Sequence, residues 1–77
     1  MTFKDMIASR LKSLDKPVTC AFLKNLVQKK YKVKLSNGTI SSYLYKWYNK
    51  GIVHRFGGFG SRGGWGYMAI PSEKRFL

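Results

Sequence analysis

Acidic residues are nearly missing from this chain. Of its 77 residues three are Asp or Glu, against fifteen Lys and Arg, a formal net charge of +12 at neutral pH. The three are Asp5, Asp15 and Glu73, so residues 16 to 72 carry no carboxylate side chain. Chemistry that needs paired carboxylates therefore lacks its groups. Cysteine is equally scarce. Cys20 is alone, which excludes an internal disulfide and a thiolate zinc site, and makes a reducing compartment the simplest setting. No apolar run approaches the ~20 residues of a membrane span. The N-terminal "MTFKDMIASRLK" lacks the charged-then-apolar order of a secretion signal. The single histidine, His54, has no acidic neighbour, the serines have no base, and no phosphate-loop G-x-x-x-x-G-K occurs. These absences predict a cytoplasmic protein that is not an enzyme, holds no metal or cofactor and does not engage membranes.

What remains is a small, aromatic-rich, strongly basic chain. Its length suits one domain with a modest core. A folded domain with this charge repels itself, a cost that a polyanionic partner offsets, and nucleic acid is the commonest such partner.

Local patterns predict three helices. Thr2 and Asp5 resemble a capping box, and Phe3, Ile7, Leu11 and Leu14 follow at helical spacing, giving a helix over 3–14 that ends at "DKP". A short extended segment near 17–19 leads to Thr19 as N-cap, and Phe22, Leu23, Leu26 and Val27 form the stripe of a helix over 20–30. "YKVKL" breaks that rhythm, with Val33 and Leu35 turned inward. Ser36 or Asn37 caps a third helix over about 37–50, whose inner side is Ile40, Leu44 and Trp47 and whose end is Gly51 in a left-handed cap.

The stretch "FGGFGSRGGWGY" holds six of the eight glycines and invites reading as a disordered RNA-binding tail. Its flanks argue otherwise. "IVHRF" before it and "WGYMAI" after it are strand-like, so the glycines read as the tip of a β-hairpin over 56–66. Trp65 and Tyr67 share one strand face and are expected to pack the hairpin onto the helices. The domain covers 1–71, and 72–77 reads as a tail.

The order helix, short strand, helix, turn, helix, hairpin resembles the winged helix-turn-helix superfamily, an α+β fold of three helices packed on a C-terminal hairpin. The cadence of "LSNGTISSYLYKWYNKGIVHR", residues 35–55, carries the resemblance. It implies double-stranded DNA binding, with the third helix in the major groove and the hairpin, or wing, on an adjacent groove or the backbone. By position, Asn37, Thr39, Ser41, Ser42, Tyr45, Lys46 and Asn49 would face DNA, Lys32 and Lys34 would lie near its backbone, and Arg55 and Arg62 would carry the wing's contacts. Phe59, at the loop tip with no core to enter, has two equal readings: a wedge or stacking contact with nucleic acid, or mere contact with a neighbouring molecule. A transcription regulator, reading a palindrome as a homodimer, is the first expectation. Three alternatives stand beside it: a sequence-indifferent chromosome-coating protein, an RNA or single-strand binder stacking bases on the aromatic hairpin, and a protein-docking winged helix.

Overall fold

A computed structural model of the chain describes residues 2–59 and 64–77. Helix α1 spans Phe3–Lys12, β1 Val18–Thr19, α2 Cys20–Tyr31, α3 Asn37–Asn49, β2 Val53–Phe59 and β3 Gly64–Ala69, and a 3-10 helix, Pro71–Phe76, follows. The strands form one antiparallel sheet in the order β1-β3-β2. The molecule is an α+β fold of three α-helices and a three-stranded antiparallel sheet.

Side-chain caps start each α-helix where the sequence places them. The Thr2 hydroxyl accepts the Asp5 N–H at 3.2 Å while the Asp5 carboxylate accepts the Thr2 N–H, a reciprocal capping box. Thr19 ends β1 and also caps α2, its hydroxyl accepting the Phe22 N–H at 3.2 Å. The Ser36 hydroxyl accepts the Thr39 N–H and opens α3. Gly51 follows α3 at φ +77, a conformation that only glycine adopts without strain.

Between α2 and α3 the chain turns tightly. Lys32 takes a left-handed conformation, φ 54, directly after α2. The Gln28 side chain then accepts the Leu35 N–H at 2.8 Å, pinning the connection to its own helix. Alternation beyond Lys32 sends Val33 and Leu35 against the core and leaves Lys32 and Lys34 exposed.

The core lies between the helices and one face of the sheet. Ile7 and Leu11 of α1, Leu23 and Val27 of α2, and Ile40, Leu44 and Trp47 of α3 meet Ile52, Val53, Tyr67 and Ala69. Burying side chains of this size contributes about 1.5–3 kcal/mol each, which is what holds a domain without disulfides. Tyr43 stacks on Trp47 with ring centres 5.7 Å apart. Three residues of the expected helical stripes lie outside this core: Phe3 is 45% and Phe22 48% exposed, and Leu26 is half-buried. Phe3 is the first residue of α1, whereas Phe22 and Leu26, four residues apart, lie on one side of α2 beside the buried line of Leu23 and Val27.

The hairpin departs from simple alternation. Val53 to Phe56 pair in regular register with Ala69 to Gly66, but the next pair is Phe59 with Gly64. Two residues of β2, Gly57 and Gly58, thus oppose Trp65 alone, a one-residue bulge made possible by Gly58 at φ +81. The extra residue moves Phe59 to the face opposite Val53 and Tyr67. There its ring covers Gly66, where a Cβ would stand 2.8 Å from the ring carbons. The arms of the hairpin therefore extend to Phe59 and Gly64, further into the glycine-rich stretch than composition suggests.

The last residues, read as a tail, form the 3-10 helix. Pro71 opens it, the Ile70 N–H donates to the Ile52 carbonyl at 3.0 Å, and Leu77 packs against the core.

Candidate functional site

Helix α3 has two chemically distinct sides. Ile40, Leu44 and Trp47 are buried, Trp47 at 2% exposure, and they fix the rotation of the helix. That rotation leaves Asn37, Ser41, Ser42, Tyr45, Lys46 and Asn49 exposed, with Tyr45 57% accessible. Thr39 differs from its neighbours: it is half-buried and its hydroxyl lies 3.0 Å from that of Ser36, in the helix cap. The exposed side is a surface of hydroxyls, amides, a phenol and an ammonium group.

Lys32 and Lys34 project from the α2–α3 turn, and Lys29 and Lys30 from the last turn of α2. The pinned turn holds these four ammonium-bearing residues in one short segment next to the start of α3. No acidic residue occurs in the sequence between residues 16 and 72, which includes all of α2, the turn and α3.

Arg55 leaves β2 on the core side of the sheet but does not enter the core. Its guanidinium lies 4.2 Å from the centre of the Tyr48 ring and 4.1 Å from that of Trp65. An arginine is thus held between an aromatic of α3 and an aromatic of β3, and it ties the hairpin to the helix. Trp65 was expected to join Tyr67 in packing the hairpin onto the helices. Tyr67 does so at 7% exposure, whereas Trp65 is 49% exposed. The reason is position along the strand: Trp65 lies past the edge of the helical layer, opposite Gly57, and leans on Arg55 instead.

Phe59 was expected at the hairpin tip, free to contact nucleic acid. The bulge returns it onto Gly66, half-buried, beside Pro17 and Phe22 on the outer face of the sheet. It is separated from the α3 side by the sheet itself. Arg62 lies outside the described residues.

Cys20 links the starts of α2 and α3, its Sγ–H donating to the Asn37 carbonyl at 3.4 Å. Burial pushes the thiol pKa up, and the nearby Lys24 only partly opposes this, so the group acts as a small packed side chain. His54 is exposed on the outer face of β2 and meets Phe56 edge-on at 4.6 Å.

The structure therefore brings together the α3 side chains, the lysines of the turn and Arg55, and it separates Phe59 from them. Tyr48 and Trp65, the partners of Arg55, are the residues that sequence reasoning did not assign to the site. Composition held no signal for them, because the opposition of Gly57 and Trp65, which leaves room for the ring, depends on the register of the bulge.

Among the described residues no helix is long and apolar enough to cross a membrane. The chain matches no protein-family model, no curated protein and no solved structure.

Proposed function

We propose that this chain is a winged-helix protein that binds double-stranded DNA, with α3 as the recognition helix. The observation that carries the reading is the exposed side of α3, polar and acid-free, flanked by the lysines of the α2–α3 turn and by Arg55. The element order and the sheet order β1-β3-β2 support it, because they leave one side of α3 uncovered beside a hairpin. Physical dimensions agree. A helix of 10–12 Å diameter enters a major groove of about 12 Å, and short side chains let it approach the base edges. Asn37 and Asn49 bring amides suited to adenine, Ser41 and Ser42 hydroxyls that serve any base, and Tyr45 a ring and a phenol. Lys46 and the lysines of the turn meet phosphates, which position the helix without reading sequence.

A sequence-indifferent coating role is the second reading, and a specific observation favours it. Most of the cationic side chains near α3 sit on α2 and the turn, while α3 itself offers Lys46 as its one exposed cation and few long side chains that reach base edges, with the Thr39 hydroxyl occupied in the cap. Phosphate contacts then dominate over base contacts.

The test is anisotropy of a labelled duplex across a salt series. Four or five phosphate contacts give a slope of log affinity against log salt of about −3.6 to −4.5. Replacing Ser42, Tyr45 and Lys46 together with alanine leaves the fold intact, since all three are exposed. It removes at least tenfold in affinity. Unchanged binding by that variant rejects α3 as the recognition helix, and a preference for one duplex sequence over random duplex separates the regulator from the coating protein.

A further inference from the structure

An open cleft of about 500 Å³ lies between the start of α2, the start of α3 and the strand β3. Thr19, Cys20 and Ala21 form one wall, Asn37 and Ser41 another, and Trp65 the third. Gly38 and Gly64 also line it, so its rim carries little side-chain bulk.

Two properties indicate the occupant. First, among the described residues no Lys, Arg, Asp or Glu lines the cleft. These described residues bring hydroxyls, an amide, a thiol and an indole, which suit a flat heteroaromatic group. Second, Trp65 is 49% exposed yet held in place, with Arg55 4.1 Å over its ring and Gly57 beneath its edge. An aromatic already ordered by its neighbours loses little freedom when a second ring stacks on it.

We propose that this cleft takes one unpaired nucleobase, stacked on Trp65 and contacted at its edge by the Asn37 amide, when the protein sits on DNA through α3. The inference rests on the duplex-binding reading above and adds a preference to it. Asn37 and Ser41 belong to both the exposed side of α3 and the cleft, so a base leaving a duplex that lies against α3 enters it directly. A paired base would first have to leave its stack at a cost of a few kcal/mol, whereas a bulged base is already free of its partner. The ligand is therefore duplex DNA with a single unpaired base.

Three duplexes of one sequence test this: fully paired, with a one-base bulge, and with an abasic bulge that keeps the bend and removes the base. The base bulge binds about tenfold tighter than the paired duplex, as expected of one base–aromatic stack. The abasic bulge binds like the paired one. Emission from Trp65 is quenched only by the base bulge, while Trp47, 2% exposed, stays unaffected. Trp65→Ala abolishes the preference. Ala21→Leu does so as well, filling the cleft from an exposed position in α2 outside the α3 face, and this variant retains binding to the paired duplex. Equal affinity for base and abasic bulges overturns the proposal and leaves duplex binding standing, as does a preference that survives Ala21→Leu. Failure of every duplex to bind overturns the duplex reading and this inference with it.

Discussion

The guanidinium of Arg55 lies 4.1 Å over the ring of Trp65, and this stack joins β2 to β3 outside the core. The same guanidinium meets the Tyr48 ring at 4.2 Å, so one arginine couples the hairpin to α3. Two partly shielded cation–π contacts contribute about 1–2 kcal/mol together. Arg55→Ala is expected to lower stability by that amount in urea unfolding and to shift Trp65 emission to the red. Arg55→Lys restores only part of it, because an ammonium lacks the planar face that both rings contact. A stability unchanged in Arg55→Ala would mean that the stack holds nothing.

The fit of Phe59 on Gly66 gives a second prediction. Gly66→Ala places a Cβ 2.8 Å from the ring carbons of Phe59, and the ring must move. Overpacking of this kind costs about 1–3 kcal/mol. In a Phe59→Ala background the same change is expected to be neutral or slightly stabilising, since alanine restricts the unfolded chain more than glycine does. A double-mutant cycle measures the difference, and additive effects would contradict the contact.

This hairpin also marks where sequence reasoning stops. The three helices and their caps were legible because each depends on a few adjacent residues, such as Thr2 with Asp5 or Ser36 with Thr39. The two sides of α3 were legible from spacing alone, since Ile40, Leu44 and Trp47 fix its rotation. The facing of Phe59 was not. One additional residue at Gly57–Gly58 reverses every later side chain of the strand, and nothing in the glycine-rich composition marks where it falls. Trp65 and Tyr67 have the same parity, so only their distance from the helical layer distinguishes them. That distance belongs to the assembled fold, as does the ordering of the last residues against it.

Asp5 gives a pH-dependent prediction. Its carboxylate accepts the backbone N–H of Thr2 and, at 2.9 Å, the Thr2 hydroxyl, and these two bonds lower its pKa below the ordinary carboxylate value. A pKa depressed in the folded state stabilises above the unfolded value, and the contribution is lost as pH falls through the folded one. Asp5→Asn is therefore expected to reduce the melting temperature at neutral pH. The gap between variant and parent closes as pH descends through and below the ordinary carboxylate range. Scanning calorimetry at several pH values reads the gap, and a gap independent of pH would remove the ionised capping box as its cause.

Lys32 is where stability and the proposed function pull apart. Its φ of 54 is a conformation in which a side chain costs about 1–2 kcal/mol and in which helices customarily end on glycine. The turn itself is secured without that lysine, by the Gln28 side chain on the Leu35 N–H and by Val33 and Leu35 against the core. Lys32→Gly is therefore expected to raise stability by about 1 kcal/mol, read as a higher urea midpoint at unchanged slope. If Lys32 meets a phosphate, the same change makes the salt dependence of duplex binding shallower by about 0.9 and weakens binding equally on all sequences. Lys34→Ala, one residue pair along the same turn and free of backbone strain, is expected to change the salt slope alike with no gain in stability. A Lys32→Gly variant that is more stable and binds with an unaltered slope would show that the strained lysine serves neither the fold nor the phosphate contact.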